Sequence, residues 1–362
     1  MSIINKILTV PQRENAGSRT SNRFNYQQVW AFNRMLELLK QDKNFILLME
    51  FHDDIIILDC STENEMIDFY QIKTNTTKGR FITTTFITKD GNKYPDEMSI
   101  MQKMIDNYSK FSAETKSLHL VSNKFFDYGI LRNNDDSTSR TVVKLNELQD
   151  TKLQIITSDM CKACSFDSSL CNNSCTDIIY FDVSFQDLIN YEETVMGIFV
   201  NQLFSMGIES TVSQTKTLFY TILGEIKRIN NCETRPYNIQ DLRTHKSITS
   251  DCFKEWINQL KYESKEGSWD TIQSYLLHDG VASFTVNKIG HNWRKCQIDL
   301  MDIEDVTLQD IRNEVKELCR NNKFNNVKDA IYFIYSELIN RKDIVAYTQE
   351  YIYTIIIREL FL

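Results

Sequence analysis

Short apolar runs separated by polar turns dominate the first part of the chain. Residues 45–50 and 55–59, rich in isoleucine and leucine, flank the polar turn 52–54, and residues 66–73 follow a second polar turn. Runs of this length, bounded by turn residues, are typical of β-strands. The pattern therefore predicts a β-hairpin followed by a third strand.

Polar side chains gather at one end of these predicted strands. Because side chains alternate along a strand, Gln71 and Lys73 share one face of the third strand. If the strands pair, Asp54 meets Gln71 and Lys73 there, with Glu50 close by. Carboxylate and amide oxygens, together with the Ile72 carbonyl, are ligands that a hard cation prefers, and a lysine can orient or deprotonate an attacking water. These residues predict a hydrolytic site that uses Mg²⁺ or Mn²⁺. The competing interpretation is an ordinary turn aspartate and a solvated strand-end lysine.

Apolar periodicity predicts most of the other elements. Helical spacing begins at Tyr26 and recurs at Met98–Phe111. Strands are predicted at Leu118–Val121 and Ile178–Phe185, and His119 on the first of these is interpreted as a packed residue. Segments that fit either class are Thr141–Leu148 and Leu153–Ile156.

The pattern changes near residue 208. A helix is predicted at residues 186–204, and from residue 212 onwards the chain is almost wholly helical in pattern. The predicted fold class is an α/β domain over residues 1–208, with a mixed central sheet flanked by helices. An all-α domain over residues 209–362 follows, and we expect it to serve oligomerisation and partner binding.

Two basic segments have open interpretations. Residues 74–90 combine threonines with Lys78, Arg80 and Lys89, which suits either a phosphate contact or a solvated loop. Residues 280–295 are basic and irregular in pattern, and we predict a loop there rather than a DNA or partner contact.

Composition limits the class of protein. The 362 residues, of which 42% are hydrophobic, allow two domains, and the net charge is -8. A DNA-binding chain of this charge needs a local basic patch. The start of the chain lacks a secretory pattern, and there is no apolar run of about 20 residues, so we expect a cytoplasmic protein without a membrane span.

Four of the nine cysteines form one cluster. Cys161, Cys164, Cys171 and Cys175 have the spacing C-x2-C-x6-C-x3-C, which predicts a structural zinc site with four thiolates. A filled site of this kind has no open position, so we expect an insertion at residues 161–175 that stabilises a loop without catalysing. The alternative is a reduced, cysteine-rich loop.

Several motifs occur together in one order. They are Gly17-Ser-Arg-Thr, Phe24-Asn-Tyr-Gln27, Glu50-x-x-x-Asp54, Phe69-Tyr-Gln71-Ile-Lys73 and Leu118-His-Leu-Val-Ser-Asn123. Over roughly the first 200 residues the chain resembles PD-(D/E)XK nucleases, which have a restriction-endonuclease-like fold. More narrowly, it resembles the double-stranded DNA endonuclease effectors of CBASS and the related Lamassu nuclease subunit. Gln71 stands where these nucleases usually have a second acid, as in the Mrr-like branch.

The resemblance implies a magnesium-dependent double-stranded DNA endonuclease that acts in anti-phage defence. It implies Asp54, Gln71 and Lys73 as catalytic residues, Glu50 as a further metal ligand and Gln27 as a supporting residue. The helical region shows no second-messenger sensor, so we expect control by homo-oligomerisation and by partner subunits. Lamassu implies an SMC-like ATPase and an accessory subunit, and a HerA-type translocase is second.

Two alternatives remain open at this point. Gln71 in place of an acid favours a non-catalytic DNA- or protein-binding subunit, whereas Asp54 and Lys73 favour the enzyme. Metal-assisted phosphodiester hydrolysis does not itself select the sugar, so a ribonuclease is the other alternative.

Overall fold

A computed structural model describes most of the chain. The described residues are 21–60, 66–75, 81–88, 97–163, 175–185, 187–208, 210–233, 236, 238–265, 269–300 and 305–361. They form two compact units. The first takes the described residues up to Gly197 together with Ile226–Cys252, and the second takes Ile198–Glu225 and the chain from Phe253 onwards.

A mixed sheet of seven strands forms the centre of the first unit, in the order β7-β8-β5-β3-β2-β1-β9. Its strands are β1 (Phe45–Phe51), β2 (Asp53–Asp59), β3 (Met66–Lys73), β5 (Thr115–Ser122), β7 (Val142–Lys144), β8 (Ile179–Val183) and β9 (Ser247–Thr249). The pairs β3/β5 and β5/β8 are parallel. The pairs β1/β2, β2/β3, β1/β9 and β7/β8 are antiparallel. A separate parallel pair consists of β4 (Phe81–Thr83) and β6 (Phe125–Asp127).

Helices cover both faces of this sheet. Those of the first unit, with two that run across the unit boundaries, are α1 (Ser21–Lys40), α2 (Thr84–Ile87), α3 (Ile100–Phe111), α4 (Asp150–Ala163), α5 (Tyr191–Ser205), α6 (Val212–Asn231) and α7 (Ile239–Lys246). Alternate strand residues such as Leu48, Ile56 and Phe69 join one buried core with Met104 of α3 and Ile156 of α4. Burial of this apolar surface is the main stabilising contribution to the fold.

The opposite face of the sheet packs against α1. The Trp30 ring lies 4.9 Å from the Tyr70 ring, centroid to centroid, and Arg34 Nη2 donates a hydrogen bond of 3.2 Å to the Tyr70 hydroxyl. Because side chains alternate along β3, Tyr70 faces α1 whereas Phe69 and Gln71 face the other side.

The second unit is helical. Besides parts of α5 and α6, it contains α8 (Ser250–Lys265), which begins at the unit boundary, α9 (Trp269–His278), α10 (Ser283–Asp299), α11 (Val306–Asn321), α12 (Val327–Leu338) and α13 (Gln349–Phe361). Its core includes Ile289, Ile311, Ile334 and Ile355. No described helix of the chain is both long and apolar enough to cross a membrane.

The mixed sheet with flanking helices and the helical C-terminal region confirm the coarse fold prediction. The loop predicted at residues 280–295 is wrong, because Ser283–Asp299 is a helix. Its buried residues Val286, Ile289, Trp293 and Cys296 recur at helical spacing, and this spacing outweighs the basic residues between them. Leu153–Ile156 lies inside α4, and Thr141–Leu148 contains the short edge strand β7.

Segment 226–252 shows what the sequence pattern missed. It returns to the first unit and adds β9 to the edge of the sheet, where Leu47 pairs with Ile248. The predicted division at residues 208 and 209 stays a prediction. The compact units of the structure interleave along the chain, with residues 198–225 in the second unit and 226–252 in the first.

Candidate active site

The β1–β2 hairpin turns within an unusually short distance. Phe51 pairs with Asp53, so His52 alone spans the turn. Both Glu50 (φ 47°) and His52 (φ 70°) have left-handed backbone conformations. Non-glycine residues in this region carry backbone strain that the surrounding structure must hold. The ring of His52 packs edge-on against Phe51 and Phe111, at centroid distances of 5.0 and 5.1 Å.

This register places three polar residues in one row across three strands. The β1/β2 pairing sets Glu50 opposite Asp54, between the paired positions Met49–Ile55 and Phe51–Asp53. The β2/β3 pairing ends at Ile55–Tyr70, so Asp54 is the next residue on β2 and faces Gln71 on β3. The predicted convergence of Glu50, Asp54 and Gln71 therefore has a direct structural basis in the strand register.

Asp54 is held by the end of β3. Its Oδ2 accepts a hydrogen bond of 2.6 Å from the backbone N–H of Ile72, and Lys73 Nζ lies 3.5 Å from the same oxygen. The Asp54 side chain is 14% exposed and that of Lys73 is 34% exposed. The carboxylate is thus fixed on one oxygen, and the lysine lies beside it with access to solvent.

Asp53, the neighbouring residue, anchors the hairpin. Its Oδ1 accepts a hydrogen bond of 3.0 Å from the backbone N–H of Asp54. Its Oδ2 accepts one of 2.7 Å from Asn107 Nδ2 on α3. Asp53 and Asn107 are both buried. The strained turn is therefore tied to a helix through a charge-assisted hydrogen bond.

Glu50 has the most perturbed carboxyl group of the site. Burial raises its pKa from the ordinary 4.5 to about 8, and the nearby carboxylates of Asp54 and Asp53 add to the rise. Lys73 and Lys246 act in the opposite direction. Strongly shifted carboxyl groups beside charged partners are typical of functional sites.

Lys246 lies near this site, at a position that the sequence pattern did not indicate. It is the last residue of α7 and directly precedes β9. The pairing of Leu48 with Ser247 puts Lys246 beside the end of β1 that carries Glu50. Lys246 is buried, which lowers its pKa, whereas nearby Cys232, Glu50 and Glu233 raise it. A basic residue preceding an edge strand, far along the chain, carries no local signal for this position.

The donors at this hairpin fit a hard divalent cation. Two carboxylates, the Gln71 amide and the Ile72 carbonyl supply oxygen only, which suits Mg²⁺ or Mn²⁺. Among the described residues, no group of three or more His, Cys, Asp or Glu side chains could hold a metal ion. With only two carboxylates in this donor set, a bound Mg²⁺ would keep several waters.

The structure places the other predicted residues less directly. Gln27 lies buried in α1, and its Oε1 accepts no hydrogen bond from the residues that the structure describes. Since α1 packs on Tyr70, opposite to the face of Gln71, its supporting role stays a prediction. Within residues 74–90, the described parts include β4 and α2, whereas Lys78, Arg80 and Lys89 lie outside the described residues.

The zinc prediction also stays untested. Cys161 is half-buried in the last turn of α4, and Cys175 is fully buried, both against the core of the first unit. Cys164 and Cys171 lie outside the described residues.

His119 is packed, as its pattern predicts, but within an extended polar network. Its ring stacks between Tyr70 and Tyr180, with centroids 4.6 and 4.8 Å away. Nδ1 lies 2.5 Å from Asp182 Oδ2, and Nε2 lies 2.7 Å from Ser117 Oγ. Ser117 also donates to Asp68. This network lies on the sheet face of Tyr70, opposite to the face of Gln71.

A family model and one known protein match parts of this chain. A family model described as "Cap4, dsDNA endonuclease domain" matches residues 15–229. The Lamassu protein LmuA of Bacillus cereus (strain VD014) is 34% identical over 116 residues. That alignment covers 32% of this chain and 30% of the relative, so the chain matches under a third of that protein's length.

The solved structures that match part of this chain include a receptor from Acinetobacter baumannii. The Cap4 SAVED/CARF-domain containing receptor, solved with the cyclic trinucleotide 2'3'3'-cAAA, is 16% identical, with a TM-score of 0.40. The match covers 68% of this chain and 46% of that one. A second structure of this receptor gives a TM-score of 0.38 and covers 66% of this chain and 46% of that one.

Proposed function

Because the chain belongs to the Cap4 family of double-stranded DNA endonuclease domains, we propose that it cuts double-stranded DNA at the β1–β2 hairpin, with Mg²⁺ or Mn²⁺. The observation that carries this proposal is the contact of Asp54 with Ile72 N–H and Lys73, opposite Gln71. A carboxylate and a lysine meet on adjacent strands, as in a restriction-endonuclease-like PD-(D/E)XK site, and the Gln71 amide stands where such a site usually has a second acid.

Each residue has a distinct role in this proposal. Asp54, Glu50, the Gln71 amide oxygen and the Ile72 carbonyl hold the cation. When bound, the cation supplies positive charge that polarises the scissile phosphate. Lys73, partly exposed beside Asp54, orients the attacking water or takes its proton. Its ammonium also stabilises charge that develops on the phosphate in the transition state.

The similarity to a Lamassu protein supports a role in anti-phage defence. In this proposal the chain is the nuclease effector of a multi-subunit complex in the cytoplasm, with an SMC-like ATPase and an accessory subunit as partners. A HerA-type ATPase is the second candidate partner. A net charge of -8 disfavours bulk electrostatic binding to DNA. Oligomerisation or partner binding therefore completes the DNA-binding surface and controls cutting.

The test is cleavage of plasmid DNA by the full chain with Mg²⁺. It is run alone, after forced oligomerisation and with the co-encoded neighbouring proteins. Asp54→Ala and Lys73→Ala are expected to lower the rate by about 100-fold or more. Asp106→Ala and Lys110→Ala remove a comparable ion pair, 2.7 Å long, on α3, and serve as matched controls.

The outcomes separate the alternatives. Loss of cutting in the two site variants, but not in the controls, supports the nuclease. No cutting with every partner present favours a non-catalytic binding subunit. Cutting by Lys73→Ala at the wild-type rate means that the site is misassigned. A parallel reaction with RNA of the same sequence decides between deoxyribonuclease and ribonuclease.

A further inference from the structure

Lys246 reaches the nuclease site from a part of the chain beyond the family match, which ends at residue 229. The segment that carries it, α7 and β9, belongs to the first compact unit. Leu242 of α7 lies in the same buried core as Leu48 and Ile56. Since β9 pairs with β1 through Leu48 and Ser247, the position of Lys246 is fixed relative to the end of β1 that carries Glu50.

Glu50 lies among other carboxylates. Asp54 faces Glu50 across the hairpin, and Asp53 is close enough to affect it electrostatically. Of the groups that act on Glu50, the two cations are Lys73 and Lys246. Lys73 lies 3.5 Å from Asp54, so it is already engaged by that carboxylate. Lys246 is buried, and Glu50 is among the groups that act on it.

We propose that Lys246 is a positioning residue for Glu50 and so belongs to the nuclease site. The proposal rests on the function proposed above. The buried Lys246 ammonium, directly before the edge strand β9, attracts the Glu50 carboxylate and orients this residue, whose backbone conformation (φ 47°) is strained. Groups that orient a metal ligand typically change metal affinity or activity by about 10- to 100-fold when they are removed. By this role, a segment outside the family match becomes necessary for cutting.

The test uses the full chain with Lys246→Met, which removes the positive charge and keeps an unbranched side chain of similar length. Mn²⁺ binding to the metal-free protein is measured by electron paramagnetic resonance, and DNA cleavage is measured separately. We expect Lys246→Met to weaken Mn²⁺ binding and to lower kcat by about 10-fold or more, with little change in KM. Lys246→Arg keeps the charge and is expected to restore most of both. Arg243→Met removes an exposed cation from the same helix and is the matched control.

A double-mutant cycle with Glu50→Gln shows whether Lys246 affects Mn²⁺ binding through Glu50. If Lys246 acts through Glu50, Lys246→Met changes Mn²⁺ affinity by less than about 2-fold when Glu50→Gln is already present. Direct repulsion between the ammonium and the cation gives a different result, since Mn²⁺ then binds more tightly to Lys246→Met in both backgrounds. That result, or a Lys246→Met protein with wild-type affinity and rate, overturns the proposal.

Failure of the proposed function is recognised separately. If Asp54→Ala binds Mn²⁺ and cuts DNA as the wild type does, the site itself is misassigned. Thermal unfolding of each variant shows whether it is folded. A Lys246→Met protein that does not fold is replaced by Lys246→Gln, which is subject to the same expectations.

Discussion

Glu50 couples the site to pH at the scale of a single residue. Its pKa is raised from 4.5 to about 8, chiefly by burial. Between these two values the folded protein holds a proton that the unfolded chain has released. Linkage then requires the stability of the metal-free protein to fall as the pH rises through this interval. A divalent cation binds the ionised carboxylate, so its apparent affinity rises with pH over the same range.

We therefore predict that Glu50→Gln removes part of this pH dependence. Without metal, the wild type loses stability relative to Glu50→Gln between pH 5.5 and 8, as measured by thermal unfolding in EDTA. Glu193→Gln changes an exposed residue of α5 and is the control. Its stability is expected to depend on pH as that of the wild type does. The same pH slope in wild type and Glu50→Gln would contradict the raised pKa.

Gln71 is the residue in which this site departs from the usual acidic pair. It is 4% exposed and faces Asp54, so its side chain is held among the proposed donors. Gln71→Glu adds a buried negative charge, which is expected to destabilise the metal-free protein and to tighten Mn²⁺ binding. Gln71→Met removes the donor oxygen and is expected to weaken Mn²⁺ binding. Calorimetric titration measures both, and equal affinities in all three proteins would remove Gln71 from the donor set.

At the scale of elements, a buried hydrogen bond ties α3 to the hairpin. Asn107, which is 1% exposed, donates to Asp53 Oδ2 at 2.7 Å. Asn107→Leu removes a charge-assisted hydrogen bond to the buried Asp53 carboxylate. We therefore predict a loss of about 1–3 kcal/mol in the free energy of unfolding. Urea denaturation measures it.

Ser109→Ala is the comparison on the same helix. Its hydroxyl donates to the backbone carbonyl of Asp106, at a partly buried position. We expect its loss to change the free energy of unfolding by about 0.5 kcal/mol or less. If Asn107→Leu were as stable as Ser109→Ala, the hydrogen bond to Asp53 would contribute little to holding the hairpin.

The elements also show how far a sequence can predict this site. Asp54, Gln71 and Lys73 were predictable because they lie on consecutive antiparallel strands, where side-chain alternation places them on one face. Lys246 was not, since β9 is three residues long and its pairing with β1 is non-local. A strand this short has no periodicity to detect. Likewise, the sequence shows Asn107 only as one polar residue on an amphipathic helix. Its hydrogen bond to Asp53 is known only from the packing of α3 on the sheet.

At the scale of the whole chain, two compact units alternate along the sequence. Residues 198–225 leave the first unit, and residues 226–252 return to it with β9. Each unit has its own buried core. This organisation leads us to predict two unfolding transitions, of which Mg²⁺ or Mn²⁺ raises only that of the first unit.

A buried ion pair in the second unit allows the unfolding transition of that unit to be identified independently. Arg312 Nε on α11 donates to Glu359 Oε1 on α13 at 2.7 Å, and the two side chains are 7% and 4% exposed. Arg312→Met leaves Glu359 buried without this partner, so we predict a loss of about 3–5 kcal/mol in the second unit. Lys288→Met breaks an exposed pair with Glu350, also 2.7 Å long, and is expected to cost about 1 kcal/mol or less.

Calorimetry with and without Mn²⁺ assigns the transitions. Arg312→Met is expected to lower the transition that Mn²⁺ does not move, and to leave Mn²⁺ affinity unchanged. The double variant Arg312→Met/Glu359→Met should recover most of the loss, because the cost lies in the buried charge left behind rather than in the contact itself. A single transition that both Mn²⁺ and Arg312→Met shift would mean that the two cores unfold together. In that case a partner bound to the helical unit could act on the stability of the nuclease site directly.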